Sequence, residues 1–167
     1  MDFAYDVPKS ELHLHLDGSL DSDFIVSRAL DRAVKLPMEK DKIREYLHVL
    51  KSQRAHVGDS VSPASNWSNF DFCNQFLQTK EELEQATFAL CKKLCGDNVV
   101  LAEIRFCPTL HTLEKLTESE AVEAVIAGFH KSEQDLEIRG GIIVCALRSY
   151  GVSHSIEMAE LVKSYIG

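Results

Sequence analysis

Three stretches of this chain carry apolar residues at strand spacing, and the segments between them carry apolar positions at helical spacing. The first, SELHLHLDGSL (Ser10 to Leu20), sets leucines against polar residues in alternation and predicts a strand over Glu11–Asp17. The second, VVLAEIRFCP, is rich in branched side chains and stops at Pro108, predicting a strand near Val99–Cys107. The third, GGIIVCALR, is a short and almost wholly apolar run near Gly141–Arg148. Such a run suits a strand covered on both faces, as in a parallel sheet.

The helical patterns lie between. DSDFIVSRALDRAV follows the first strand, and MEKDKIREYLHVLK, after Pro37, reads as a second short helix. Over Glu81–Cys95 the residues Leu83, Ala86, Leu90 and Leu94 form one apolar stripe. Thr117-x-x-Glu120 is a capping box that opens a helix with the stripe Val122, Val125, Ile126 and Phe129. Ile156–Ile166 places Met158, Leu161, Val162 and Tyr165 on one side. The polar stretch SQRAHVGDSVSPASNWSN (Ser52–Asn69) is the long loop candidate, of a kind that often serves as a lid or an insertion. Strands alternating with helices imply βαβ units, a parallel sheet and the α/β class. The pattern stops at Gly167, where a turn would lead into a fourth strand.

Composition narrows the partners. A formal net charge of −8 disfavours a nucleic-acid backbone and leaves a small molecule or a protein as the expected partner. No apolar run approaches the ~20 residues of a membrane span, and the acidic start MDFAYDVPKS is unlike a secretory signal. The five cysteines are odd in number, lack a C-x-x-C pair and sit among apolar neighbours, so reduced thiols and a cytoplasmic location are expected.

Alternation should place Glu11, His13, His15 and Asp17 on one side of the first strand, with Leu12, Leu14 and Leu16 on the other. Two imidazoles at i and i+2 can turn their ring nitrogens to one ion, at zinc–nitrogen distances of roughly 2.0–2.1 Å. Neutral imidazole suits zinc, iron or nickel. Asp17 falls just past the strand end beside Gly18, where α/β folds place their chemistry. Two ligands are short of the three that a catalytic zinc requires, and a hydrogen-bonded core histidine is the alternative reading of each. His48, His56, His111, His130 and His154 lack ligand spacing and read as surface or hydrogen-bonded residues.

PKSELHLHLDGSL is similar to the opening of the adenosine deaminase family of metal-dependent aminohydrolases, whose first strand carries P-K-x-E-L-H-x-H-L-x-G. DFCNQF (Asp71–Phe76), LAEIRFCP (Leu101–Pro108, like the family's E-[IVL]-R-[FY]-x-P strand) and CALRSY (Cys145–Tyr150) follow in the family's order. The resemblance runs over essentially the whole chain. It implies an eight-stranded (β/α) TIM barrel, with about the first three βα units present and residues 1–167 forming the N-terminal part of that single domain.

The resemblance also implies roles. His13 and His15 match two zinc ligands, His15 also lies beside the substrate, and Asp17 matches the residue that holds a ribose hydroxyl. Phe72 and Phe76 resemble apolar residues of the helix over the purine pocket, with ordinary core packing as the alternative. Glu103 and Arg105 share a strand face and read as an ion pair inside the barrel, and Arg148 is treated alike. Thr109 departs from the histidine that often follows the second strand's proline. The implied reaction is zinc-dependent hydrolysis of adenosine to inosine and ammonia. The family's third zinc histidine, glutamate proton donor, water-orienting histidine and Asp-Asp pair find no match here, so catalytic residues are expected beyond Gly167. The alternatives are a short non-catalytic product that binds a partner, another H-x-H barrel hydrolase, or a relative acting on adenine or methylated AMP.

Overall fold

The three alternating stretches come together as one parallel sheet in the computed structural model, which describes residues 6–36, 38–44, 47 and 70–166. The loop candidate 52–69 and residues 45, 46 and 48–51 of the helix expected after Pro37 lie outside the described residues; within the described part Lys40–Lys42 form a 3-10 turn. Strands β1 (Lys9–His15), β2 (Val99–Phe106) and β3 (Arg139–Val144) lie side by side in that order, each pair parallel. Helices α1 (Ser22–Asp31), α2 (Lys80–Gly96), α3 (Glu118–Asp135) and α4 (Gly151–Lys163) fill the intervals and follow the last strand.

Local chemistry sets the helix starts. The Asp21 side chain accepts the Asp23 N–H at α1. Thr117 and Glu120 form the reciprocal box expected at α3, and Thr79 with Glu82 forms the same device at α2, which the sequence reading passed over. Helix α4 begins at Gly151, ahead of the expected Ile156, because the third strand ends early at Val144 and a 3-10 turn over Arg148–Tyr150 brings the chain round.

One face of the sheet carries the core. Ala102, Ile104 and Phe106 of β2 are buried against Leu83, Ala86 and Leu90 of α2 and Val122, Val125 and Phe129 of α3. Each such large apolar side chain contributes roughly 1.5–3 kcal/mol when fully buried. A smaller cluster joins Ile25 and Ala29 of α1 to Ile43, Cys73 and Phe76. Two glycines set the packing distances. A Cβ at Gly128 would lie 2.4 Å from the Glu84 carbonyl oxygen, so α3 can approach α2 only with glycine there. Gly140 has φ +148° and an added Cβ would lie 1.8 Å from the Ala102 carbonyl oxygen, so β3 can enter the sheet only through glycine.

The opposite face lacks a helix among the described residues. Leu101 is 39% exposed there, and Glu103, His13 and His15 are exposed with it. Along β1 the alternation is interrupted: Glu11 pairs with Ala102 and Leu14 with Ile104, three steps against two. This β-bulge corrects the expected face assignment, because register with the helix-facing Ala102 takes Glu11 off the histidine side. It also leaves Leu12 50% exposed. No described helix is long and apolar enough to cross a membrane.

His111 is completely buried, with its ring tilted over Phe106 (centroids 5.8 Å apart) and Nδ1–H donating to the Leu77 carbonyl at 2.9 Å. Its Nε2 finds no hydrogen-bond partner among the described residues, so the expectation of a surface or fully bonded side chain is corrected. Burial pushes its pKa down to about 4, partly opposed by the Leu77 carbonyl. The unfolded chain therefore binds the extra proton first. Stability should be complete above about pH 6.5 and fall as the pH drops towards 4, by up to roughly 3 kcal/mol. Urea unfolding of the native chain and His111→Gln across this range checks it: the variant's profile should be flatter. Gly140→Ala should cost about 3 kcal/mol or more in the same assay at pH 7, from the strained φ and the backbone clash.

Candidate functional site

Pairing with β2 fixes where β1 presents its histidines. His15 is in register with Arg105, and the ladder continues past the strand as the Leu16 N–H donates to the Arg105 carbonyl at 2.9 Å. Leu16 is fully buried in the core, which turns His15 to the open face. The rings of His13 and His15 then stand with centroids 6.1 Å apart, tilted by 45°.

Asp17 lies just past the strand end, as expected, in a 3-10 turn (Asp17–Ser19), and is only 4% exposed. Its Oδ1 accepts the Gly18 N–H at 2.9 Å. Burial pushes its pKa up to about 6, with the Gly18 and Asp17 amides pulling the other way. His15 Nδ1 is 4.0 Å from Asp17 Oδ1, beyond a hydrogen bond but within ion-pair reach if the ring is protonated. Phe70 meets His15 edge-on with centroids 6.0 Å apart, and a Cβ on Gly18 would come within 3.0 Å of the Phe70 ring. Glycine at 18 therefore admits both the turn and the phenyl group. Cys73 is buried nearby, its thiol pushed up to about 12 by desolvation and by the charge of Asp17.

Arg105 serves this end of the sheet differently from the expectation. Its Nη2 donates to the Leu12 carbonyl at 3.0 Å and its Nη1 lies 3.4 Å from His13 Nε2. Among the described residues no ion pair joins it to Glu103, which correction follows from geometry. Same-face neighbours on one strand stand about 6.6 Å apart, farther than the adjoining strand. Arg148 is exposed in its 3-10 turn and likewise makes no ion pair among the described residues. Thr109 ties three elements together: its hydroxyl donates to the Glu118 carboxylate and lies 2.7 Å from Nε2 of His154 on α4.

The structure thus brings His13, His15 and Asp17 to one end of the sheet, joined by Phe70, Cys73 and Arg105. It places Phe72 and Phe76 in the adjoining apolar cluster, edge-to-face at 5.5 Å, with Phe76 fully buried. Sequence reasoning passed over Phe70, whose signal was an aromatic residue directly before DFCNQF. In donor chemistry the two imidazoles fit zinc. No group of three His, Cys, Asp or Glu side chains suited to a metal assembles among the described residues, so the fit is that of two ligands of a larger set.

A parallel βαβ sheet bearing its polar cluster at the strand ends is the fold of an α/β barrel, here in its first three βα units. The sequence profile described as "Adenosine deaminase" matches residues 8–166, and the chain belongs to that family. It is 38% identical over 143 residues to an adenosine deaminase of Lactococcus lactis, covering 85% of this chain and 38% of the relative. To one of Clostridium perfringens it is 35% identical over 162 residues, covering 96% and 47%. A zinc-bound amidohydrolase from Burkholderia ambifaria superposes with a TM-score of 0.76 at 20% identity, over 97% of this chain and 42% of the other. An N6-mAMP deaminase from Arabidopsis does so with a TM-score of 0.74 at 19% identity, over 98% and 48%. The chain spans less than half the length of these proteins.

A buried carboxylate at a site should cost the fold stability. With its folded pKa raised, Asp17 is easiest to bury protonated, so its contribution declines as pH rises from about 4 through 6. Asp17→Asn keeps an acceptor for the Gly18 N–H without the charge. In metal-free protein at pH 7 it should be more stable than the native chain by roughly 2 kcal/mol, and the gain should vanish near pH 4. Denaturant titrations at the two pH values check it.

Proposed function

We propose that this chain supplies the metal-holding and sugar-holding first-strand portion of a zinc-dependent adenosine deaminase. The observation that carries the reading is the pair His13 and His15, facing one open side of β1 at the strand end where Asp17 is buried. In this reading both imidazoles hold zinc, which when bound supplies a water acidified to near-neutral pH for hydrolysis at the purine amine carbon.

The chain's own residues prepare that chemistry. Arg105, holding the Leu12 carbonyl and abutting His13, keeps the bulged strand and its first imidazole in place. Phe70 shields one edge of His15 from water. Asp17 engages Gly18 through Oδ1, and in this reading its carboxylate also accepts a substrate hydroxyl. A ribose hydroxyl bonded there would replace the solvation that burial removed, so substrate binding and ionisation of Asp17 support each other. That role favours a nucleoside over a free base. The N6-mAMP deaminase with the same fold keeps a methylated nucleotide as the second reading. The proton for the departing ammonia is assigned to no residue of 1–167. We place the protein in the cytoplasm, where its five free cysteines would stay reduced.

The test pairs metal content with turnover. In the whole protein, His13→Ala and His15→Ala should each lose bound zinc and lower adenosine deamination by at least about a hundredfold. Asp17→Ala should retain zinc and chiefly raise KM for adenosine. Native zinc content in both histidine variants would contradict the ligand assignment, and unchanged KM in Asp17→Ala would contradict the sugar contact.

A further inference from the structure

Two thiols meet at the same end of the sheet as the histidines. Cys107 follows β2 with φ −108° and ψ 110°, so the extended backbone continues through it. The Cys145 N–H donates to the Phe106 carbonyl at 2.8 Å. In a parallel ladder a residue's N–H bonds the carbonyl just before its partner, so Cys107 and Cys145 form the next registered pair after Phe106 and Val144. Phe106 and Val144 pack in the helix-side core, and alternation turns the two cysteines to the other face, that of Arg105 and Ile143. Cys107 senses the charge of Cys145, and Cys145 senses both Arg105 and Asp17.

Burial separates this pair from the other close one. Adjacent strands stand about 4.8 Å apart, within the 4.4–6.8 Å Cα range of a disulfide, roughly. Cys91 and Cys95 lie one turn apart on α2, and Cys91 is completely buried in the core between the helices, out of reach of a soluble reagent. Accessibility orders the pair internally: Cys107 is 4% exposed, whereas Cys145 is partly exposed. Burial pushes both thiols up, and the Arg105 guanidinium pulls Cys145 part of the way back. Cys145 is therefore the better attacking group.

We propose that Cys107 and Cys145 are a redox-sensitive thiol pair at the mouth of the site, closing to a disulfide by exchange with a low-molecular-weight disulfide. Cys145 gives its proton to solvent and its thiolate attacks one sulfur of that reagent. The reagent's S–S bond breaks, and its departing thiolate takes up a proton. Cys107, likewise deprotonated, then attacks the Cys145 sulfur of the mixed disulfide and expels the second thiol. The two protein thiols are oxidised and one disulfide is reduced to two thiols. The product staples β2 to β3 beside Arg105, the residue that holds the β1 bulge. This inference rests on the strand register and is independent of the deaminase reading.

The experiment exposes the native chain to oxidised glutathione, counts free thiols and maps tryptic peptides without reduction. The expected result is loss of two of the five thiols and a cross-link joining FCPTLHTLEK to GGIIVCALR, both reversed by dithiothreitol. Cys107→Ser should stop at a stable glutathione adduct on Cys145, and Cys145→Ser should suppress both adduct and cross-link, with circular dichroism reporting the fold of each. The native map decides alone if either variant fails to fold. Retention of all five thiols, a cross-link between any other pair, or a persistent Cys145 adduct with Cys107 present would overturn the proposal.

Discussion

The parallel register between β1 and β2 is the constraint on which this molecule depends. His15 opposite Arg105, with Leu16 bonded to the Arg105 carbonyl and buried behind it, decides which way the imidazoles face. A slip of one residue would exchange the faces, sending histidines into an apolar core and leucines to the open side. The register is held from the far side of the sheet. Ala102, Ile104 and Phe106 are locked between α2 and α3, and glycines at 128 and 140 permit the close approaches that this locking needs. Polar residues on the exposed face thus owe their positions to apolar residues behind them.

The site works against the fold locally. Asp17 is buried in a tight turn beside a buried thiol, with its carboxyl pushed towards neutrality, and His13 abuts a guanidinium. The buried carboxylate is unfavourable by itself, and under the proposed function a ligand hydroxyl would offset the solvation it has lost, while the guanidinium helps to hold the imidazole. Functional ends of strands in α/β folds commonly carry such tension, because loops can accept the strain that the core refuses.

Period-two and helical apolar patterns disclosed all three strands and the faces of α2, α3 and α4, because core-facing stripes are written locally. The capping box at Thr117 was legible for the same reason, and the equivalent box at Thr79 was present in the letters though passed over. What escaped depends on partners far away in the chain. The bulge that moves Glu11 exists only against β2, and Arg105 reaches a carbonyl of β1 rather than its own strand's Glu103. His111 and His154 are buried by loops and helices that carry no periodic mark of it. The chemistry of the histidine pair was legible as two donors, while its assignment to one family came from the ordered motifs that extend through Tyr150.

X-ray absorption at the zinc edge, on zinc-loaded protein, tests the central claim most directly. The expected spectrum shows nitrogen and oxygen ligands at about 2.0–2.1 Å with multiple scattering from at least two imidazoles. Sulfur at about 2.3 Å among those ligands, or a spectrum unchanged when His13 and His15 are both replaced, would contradict the claim.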